Sequence, residues 1–156
     1  MLLHMDSPIR HLWQQKEYTC GAAAVAMILG ITEKEAAKLA GTDRSGTHDC
    51  GAKKALQTSG CPVYSIRVSR LPLATIGWAL EAQSYRWPLY LSLEFARFYK
   101  DSLGRKRRKP RHHAVVLHRG QLFDPGEVET LTIDSLGHLT DEGDVFLTSY
   151  LIVETP

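Results

Sequence analysis

Cys20 opens a run of small residues, in Gln14-Gln15-Lys16-Glu17-Tyr18-Thr19-Cys20-Gly21-Ala22-Ala23-Ala24. A histidine and an aspartate follow far downstream, in His113-Ala114-Val115-Val116-Leu117 and Leu122-Phe123-Asp124-Pro125-Gly126. These are a nucleophile, a base and a carboxylate that can fix the base's tautomer. Gln14, six residues before the cysteine, can donate its amide to a developing oxyanion, and so can Gln15. Together they make the set needed for acyl transfer through a thioester.

The small residues after Cys20 predict a helix over Gly21–Leu29, apolar all round, hence buried, and stopped by Gly30. A cysteine at such an N-terminus meets free N–H groups and the positive end of the helix dipole, which stabilise a thiolate. Gly21 would let a substrate backbone come close. A lone cysteine is more often a packed structural residue; the distal histidine, aspartate and glutamine favour the nucleophile. His113 begins a predicted strand. By alternation His112 and His118 point to the opposite face, so only one of the adjacent pair can meet Cys20. Asp124 lies across a predicted hairpin turn at Arg119-Gly120, though Asp-Pro-Gly is also ordinary turn chemistry. Asp49-Cys50-Gly51 imitates the cysteine motif but has no glutamine at the matching distance. Cys61, before Pro62, reads as structural.

The elements that must position these residues follow from caps and periodicity. Thr32-Glu33-Lys34-Glu35 is a capping box opening a second helix to Leu39 or Ala40, with Gly41 as its stop. A third helix is predicted over Asp49–Thr58, and a fourth from Pro72 to about Ala82. Strands are predicted over Val63–Val68, Pro88–Leu93, Ala114–His118, Gln121–Phe123 and Phe146–Val153. Helices first and sequential strands after argue an α+β fold with an antiparallel sheet. A length of 156 residues fits one domain with its own core.

Three cysteines, an odd number without a CxxC pair, point to reduced thiols in a cytoplasmic setting. Met1–Asp6 does not read as a signal peptide, and no apolar stretch is long enough for a membrane span. The seven histidines show no metal-ligand spacing, so neither metal nor other cofactor is expected. Arg105-Lys106-Arg107-Arg108-Lys109-Pro110-Arg111 reads as a solvated, mobile loop at the cleft rim. Its functional alternative is a clamp for an acidic peptide or nucleic acid, with Arg107 and Arg108 touching substrate. From there it would favour the thiolate and disfavour a protonated His113.

Gln14, Cys20-Gly21-Ala22-Ala23 with Ala26-Met27-Ile28-Leu29, His113-x-Val115-Val116-Leu117 and Asp124-Pro125 resemble the bacteriocin-processing, double-glycine-leader peptidases of the papain-like superfamily. The resemblance runs from about Gln14 to Val153. It implies a papain-like fold with a central cysteine-bearing helix on an antiparallel sheet, and a triad of Cys20, His113 and Asp124. It also selects Gln14 over Gln15 for the oxyanion hole. Thr19 stands where the family usually has an acid, and Phe95–His112 looks like an insertion. The expected partner is a peptide or protein substrate, cleaved at a peptide or isopeptide bond, with nucleic acid not expected. The rivals are a papain-like acyl-transfer or deamidase effector, and a non-catalytic module binding through the basic segment. The sequence does not bear on oligomeric state.

Overall fold

The small-residue run forms helix α1, Cys20–Leu29, in which every residue from Gly21 to Ile28 is buried. Gly30 ends it in the left-handed conformation, its N–H returning to the Ala26 carbonyl. Helix α2, Glu33–Ala40, opens on the Thr32–Glu35 capping box and closes on Gly41. Helix α3 spans Asp49–Thr58 and α4 Leu73–Ser84. This computed structural model describes residues 7–127, 131–132 and 145–156, with backbone alone for 96–98 and 131–132. Met1–Asp6 lie outside the described residues.

Among the described residues, six strands form one antiparallel sheet in the order β1-β6-β2-β3-β4-β5. They are β1 Val63–Pro72, β2 Leu89–Lys100, β3 Lys106–His118, β4 Gln121–Phe123, β5 Leu131–Thr132 and β6 Phe146–Val153. The fold is thus α+β, as expected. Arg119 and Gly120 both take positive φ, 51° and 74°, the primed turn that suits the twist of a two-residue hairpin. His118 consequently pairs with Gln121 and Val116 with Phe123.

The sheet buries residues on both faces. Helices α1, α2 and α3 share one core cluster with Tyr90, Ala114, Val116, Phe123 and Leu151. Helix α4 contributes Leu73 and Leu80 to a second, with Leu89, Leu91, Leu93, Val115 and Leu117. Adjacent residues of β2 and β3 thus divide between the clusters, as strand alternation requires.

The basic segment departs from expectation. Instead of a mobile loop, Lys106–Arg111 forms the first half of β3, paired residue by residue with β2 from Lys100↔Lys106 to Leu89↔Leu117. Strand β2 likewise runs seven residues beyond the predicted end at Leu93. Two contacts offset the like-charge cost. Continuous backbone pairing satisfies the arm's inner edges. Asp101, at the tip, accepts from the Nε atoms of both Arg105 and Arg107 at 3.0 Å.

Gly51 shows why the second cysteine motif looks like the first. A Cβ there would lie 2.2 Å from the Ala40 carbonyl oxygen, so α3 can come this close to the end of α2 only with a glycine at this position. Elsewhere in a helix Gly→Ala gains up to about 1 kcal/mol. Here Gly51→Ala should instead destabilise by roughly 1–3 kcal/mol, because α2 and α3 must separate. Urea unfolding checks this; an unchanged or higher midpoint contradicts the contact.

Candidate active site

Cys20 is the first residue of α1, and its helix end is left uncapped. Thr19 occupies the N-cap but makes no side-chain cap. Its hydroxyl instead donates to the Lys16 carbonyl at 2.9 Å and accepts from the Lys16 N–H at 3.0 Å. The first helical bond runs from Ala23 N–H to Thr19 O, 2.9 Å. The amides of the first turn therefore stay directed out of the helix end, where an anion can use them.

Gly21 is packed from within. A Cβ there would lie 2.6 Å from Thr47 Cβ and 2.9 Å from the Tyr90 hydroxyl. The structure thus gives this glycine a packing reason, distinct from the substrate approach expected of it. Tyr90, almost fully buried, has its phenol pushed well up, first by burial and then by the charges of Cys20 and Asp49. Asp49 at the start of α3 accepts from Ser92 Oγ at 2.7 Å and from Ser149 Oγ, which fastens α3 to β2 and β6.

His113 and Asp124 come together across the β3–β4 pair. His113 Nε2–H donates to Asp124 Oδ1 at 2.5 Å, and Gly126 N–H donates to the same oxygen at 2.8 Å. Asp124 has no exposed surface. Its main-chain oxygen accepts from His11 Nε2 at 2.8 Å, and Gln14 N–H donates to the next carbonyl, Pro125 O, also at 2.8 Å. The segment before α1 therefore straps the aspartate loop in place. Sequence reasoning missed His11, which sits in no periodic pattern and whose partner lies 113 residues away.

With Nε2 engaged by Asp124, the other ring nitrogen is the one left for Cys20, and the two groups act on each other. Burial of the Cys20 thiol opposes ionisation, but hydrogen bonding and charge from His113, with the N–H groups of Ala114 and Gly21, outweigh it and hold the thiol below its ordinary value. Burial likewise opposes charge on His113. Hydrogen bonds and charge from Asp124 and Cys20 prevail and raise it to about 9. The two shifts run in the direction that favours a thiolate facing an imidazolium over a neutral pair.

The competing residues lie elsewhere. His112 is exposed. His118 is buried, bonded to Ser7 Oγ at 2.7 Å, and lowered to about 4 by burial and by Arg119, so it stays neutral. Cys50 is exposed, while Cys61 is buried and its thiol pushed up by that burial. Gln15 is exposed, its backbone N–H donating to Glu33 on α2. Gln14 turns its amide onto the loop before Cys20, with Nε2 donating to Lys16 O at 2.9 Å and Glu17 O at 3.3 Å. Its Oε1 is buried without a partner. Arg107 is held by Asp101, and Arg108 is exposed along β3. A cavity of about 960 Å³ lies beside the far end of α1, lined by Ile9, Leu12, Met27, Ile31, Pro88 and others, but not by Cys20, His113 or Asp124. Among the described residues, no group of histidine, cysteine and acidic side chains converges to hold a metal ion, and no helix is long and apolar enough to cross a membrane.

No protein-family model matches the sequence, and no curated protein does. Similar solved structures exist. One is a double-glycine-motif protease from an AMS/PCAT transporter, in complex with the leader peptide. It is 16% identical, with a TM-score of 0.59, over 95% of this chain and 92% of that one. Another is the peptidase domain of Streptococcus ComA, a bifunctional ABC transporter of a quorum-sensing pathway. It is 14% identical, with a TM-score of 0.56, over 95% and 99% of the two chains. The chain shares the fold of these peptidase domains along nearly its whole length.

The ionisation pattern has a direct test. Limiting iodoacetamide at neutral pH should label Cys20 ahead of the more exposed Cys50, as thiolate character outweighs access. Asp124 raises His113, so Asp124→Asn should lower it and shrink the pH window in which the imidazolium exists. A pH profile of Cys20 alkylation, with ring titration followed by NMR, should show the His113 transition moving down from about 9. An unmoved transition contradicts the role given to Asp124.

Proposed function

We propose that this protein is a cysteine peptidase that hydrolyses peptide or isopeptide bonds through Cys20, His113 and Asp124. The observation that carries the reading is the thiol on an uncapped helix end, facing an imidazole that a fully buried carboxylate holds at 2.5 Å. The shared fold of peptidase domains supports it, one of them solved with its leader peptide bound. One domain then carries the whole site, and free thiols suit a reducing, cytoplasmic setting.

In this reading the Cys20 thiolate attacks the substrate carbonyl carbon, and the carbonyl oxygen becomes an oxyanion. The uncapped Cys20 N–H is the first donor to it. Gln14 Nε2 is the second, once its 3.3 Å bond to Glu17 O gives way. The imidazolium of His113 protonates the leaving amine as the C–N bond breaks. Neutral His113 then takes a proton from water, whose oxygen attacks the thioester and releases the acid and the Cys20 thiolate. Asp124 keeps Nε2 protonated throughout, so the other ring nitrogen does the proton transfers.

Peptide pools digested with the purified protein and read by mass spectrometry test the reaction. Cys20→Ala and His113→Ala should each lose at least about 10⁴-fold in kcat. Gln14→Ala should lose about 100-fold in kcat with little change in KM, because its bond forms only as the oxyanion does. Ammonia release or amine incorporation without chain cleavage would replace the peptidase by a deamidase or acyl transferase using the same thiol. Full turnover by Cys20→Ala removes both.

A further inference from the structure

Eight of the chain's 19 lysines and arginines lie between Arg97 and Arg111, against one acid, Asp101. The whole chain carries only +2, so the remainder is net acidic. The fold gathers that cationic stretch into one arm. Strands β2 and β3 pair out to Lys100↔Lys106, whereas β6 leaves β2 at Glu94 and β4 flanks β3 only at Val116–His118. Among the described residues, the outer edge of β3 from Arg108 to His113 pairs with no strand, so it is open to a further one.

Charge on that edge is uneven. Asp101 holds Arg105 and Arg107 at the tip. Between this clasp and His113 stand Arg108, Lys109 and Arg111, all exposed and without an ion pair among the described residues. At about 3.3 Å per residue, Arg111 lies roughly 7 Å from His113 along the strand and Arg108 roughly 17 Å. Cations and Pro110 on an open edge stop it from pairing with another copy of itself. They attract an acidic strand.

We propose that the outer edge of β3 from Arg108 to Arg111 is an exosite for an acidic, extended segment of the substrate. The segment adds to the strand by main-chain pairing, sets its carboxylates against the three cations, and leads the adjoining bond to Cys20. This rests on the peptidase reading above. A peptide fits better than a nucleic acid for two reasons. The edge offers carbonyls at the repeat of an extended chain, with N–H groups on either side of Pro110, and it continues into the strand that bears His113. Single-stranded nucleic acid needs aromatic platforms, and Tyr99 is the one exposed ring among the arm's described side chains.

Two peptides sharing one cleavable sequence, flanked by a glutamate run or by a glutamine run, test the exosite. Their binding to full-length Cys20→Ala is measured by fluorescence anisotropy, and their cleavage by the wild type is measured in parallel. The acidic peptide should bind about ten-fold tighter at low salt. That preference should fade as the screening length falls from roughly 10 Å at 0.1 M salt to roughly 3 Å at 1 M. Replacing Arg108, Lys109 and Arg111 together with serine should abolish it. Replacing them with glutamate should transfer it to a lysine-flanked peptide, an outcome that loss of folding cannot imitate. Equal affinities at low salt overturn the exosite even if both peptides are cleaved. So does an oligonucleotide that binds the arm more tightly than the acidic peptide. A clear acidic preference in Cys20→Ala, with neither peptide cleaved by the wild type, overturns the peptidase reading and leaves acidic docking intact.

Discussion

A helix nearly without side chains is the constraint on which the structure depends. From Gly21 to Ala24, α1 offers nothing larger than a methyl group, and all four residues are buried. Three partners reach its backbone closely as a result: α2, α3 and strand β3. Alanine suits the position twice over, since it has the best helix propensity and adds no volume where neighbours crowd. Larger residues begin only at Val25, Met27 and Ile28, whose burial contributes roughly 1.5–3 kcal/mol each. That grip fixes the first turn, and with it the sulfur of Cys20, to the rigidity of the core.

The second constraint is a carboxylate taken fully out of water. A lone buried charge is very costly, so Asp124 is stable only if its surroundings answer it. They answer at Oδ1, where the His113 ring and the Gly126 N–H converge. The same contacts orient the imidazole toward α1. What makes Asp124 tolerable in the interior therefore also makes His113 basic. Truncating one partner would strand the other's charge.

Local chemistry in the sequence made much of this legible. The capping box, the glycine stops, the Arg119-Gly120 turn and the small-residue helix each act within a few residues, and each stands where it was read. The pairing of His113 with Asp124 was inferable because a two-residue turn fixes the register of the strands on either side. Long-range packing was not legible. Nothing near Gly21 announces that Thr47 and Tyr90 fill the space beside it, and nothing near Gly51 announces the Ala40 carbonyl. The basic run was misread because six cations in seven residues disfavour a strand by local preference. Pairing with β2 overrides that preference, and Asp101 relieves part of the repulsion at the tip.

Placing the cations on an ordered arm also changes what they do to the site. A mobile basic loop over the cleft would have pulled on both ionisations, favouring the thiolate and opposing the imidazolium. In the folded protein the groups acting on His113 are Asp124 and Cys20, and those acting on Cys20 are His113, Ala114 and Gly21; none is an arm cation. Exposure explains the separation, since charges facing water act through a high dielectric while a buried contact at 2.5 Å does not. The chemistry is thus set by short contacts inside the protein. The arm is left free to vary with whatever it must hold, without disturbing the proton balance of the residues it leads to.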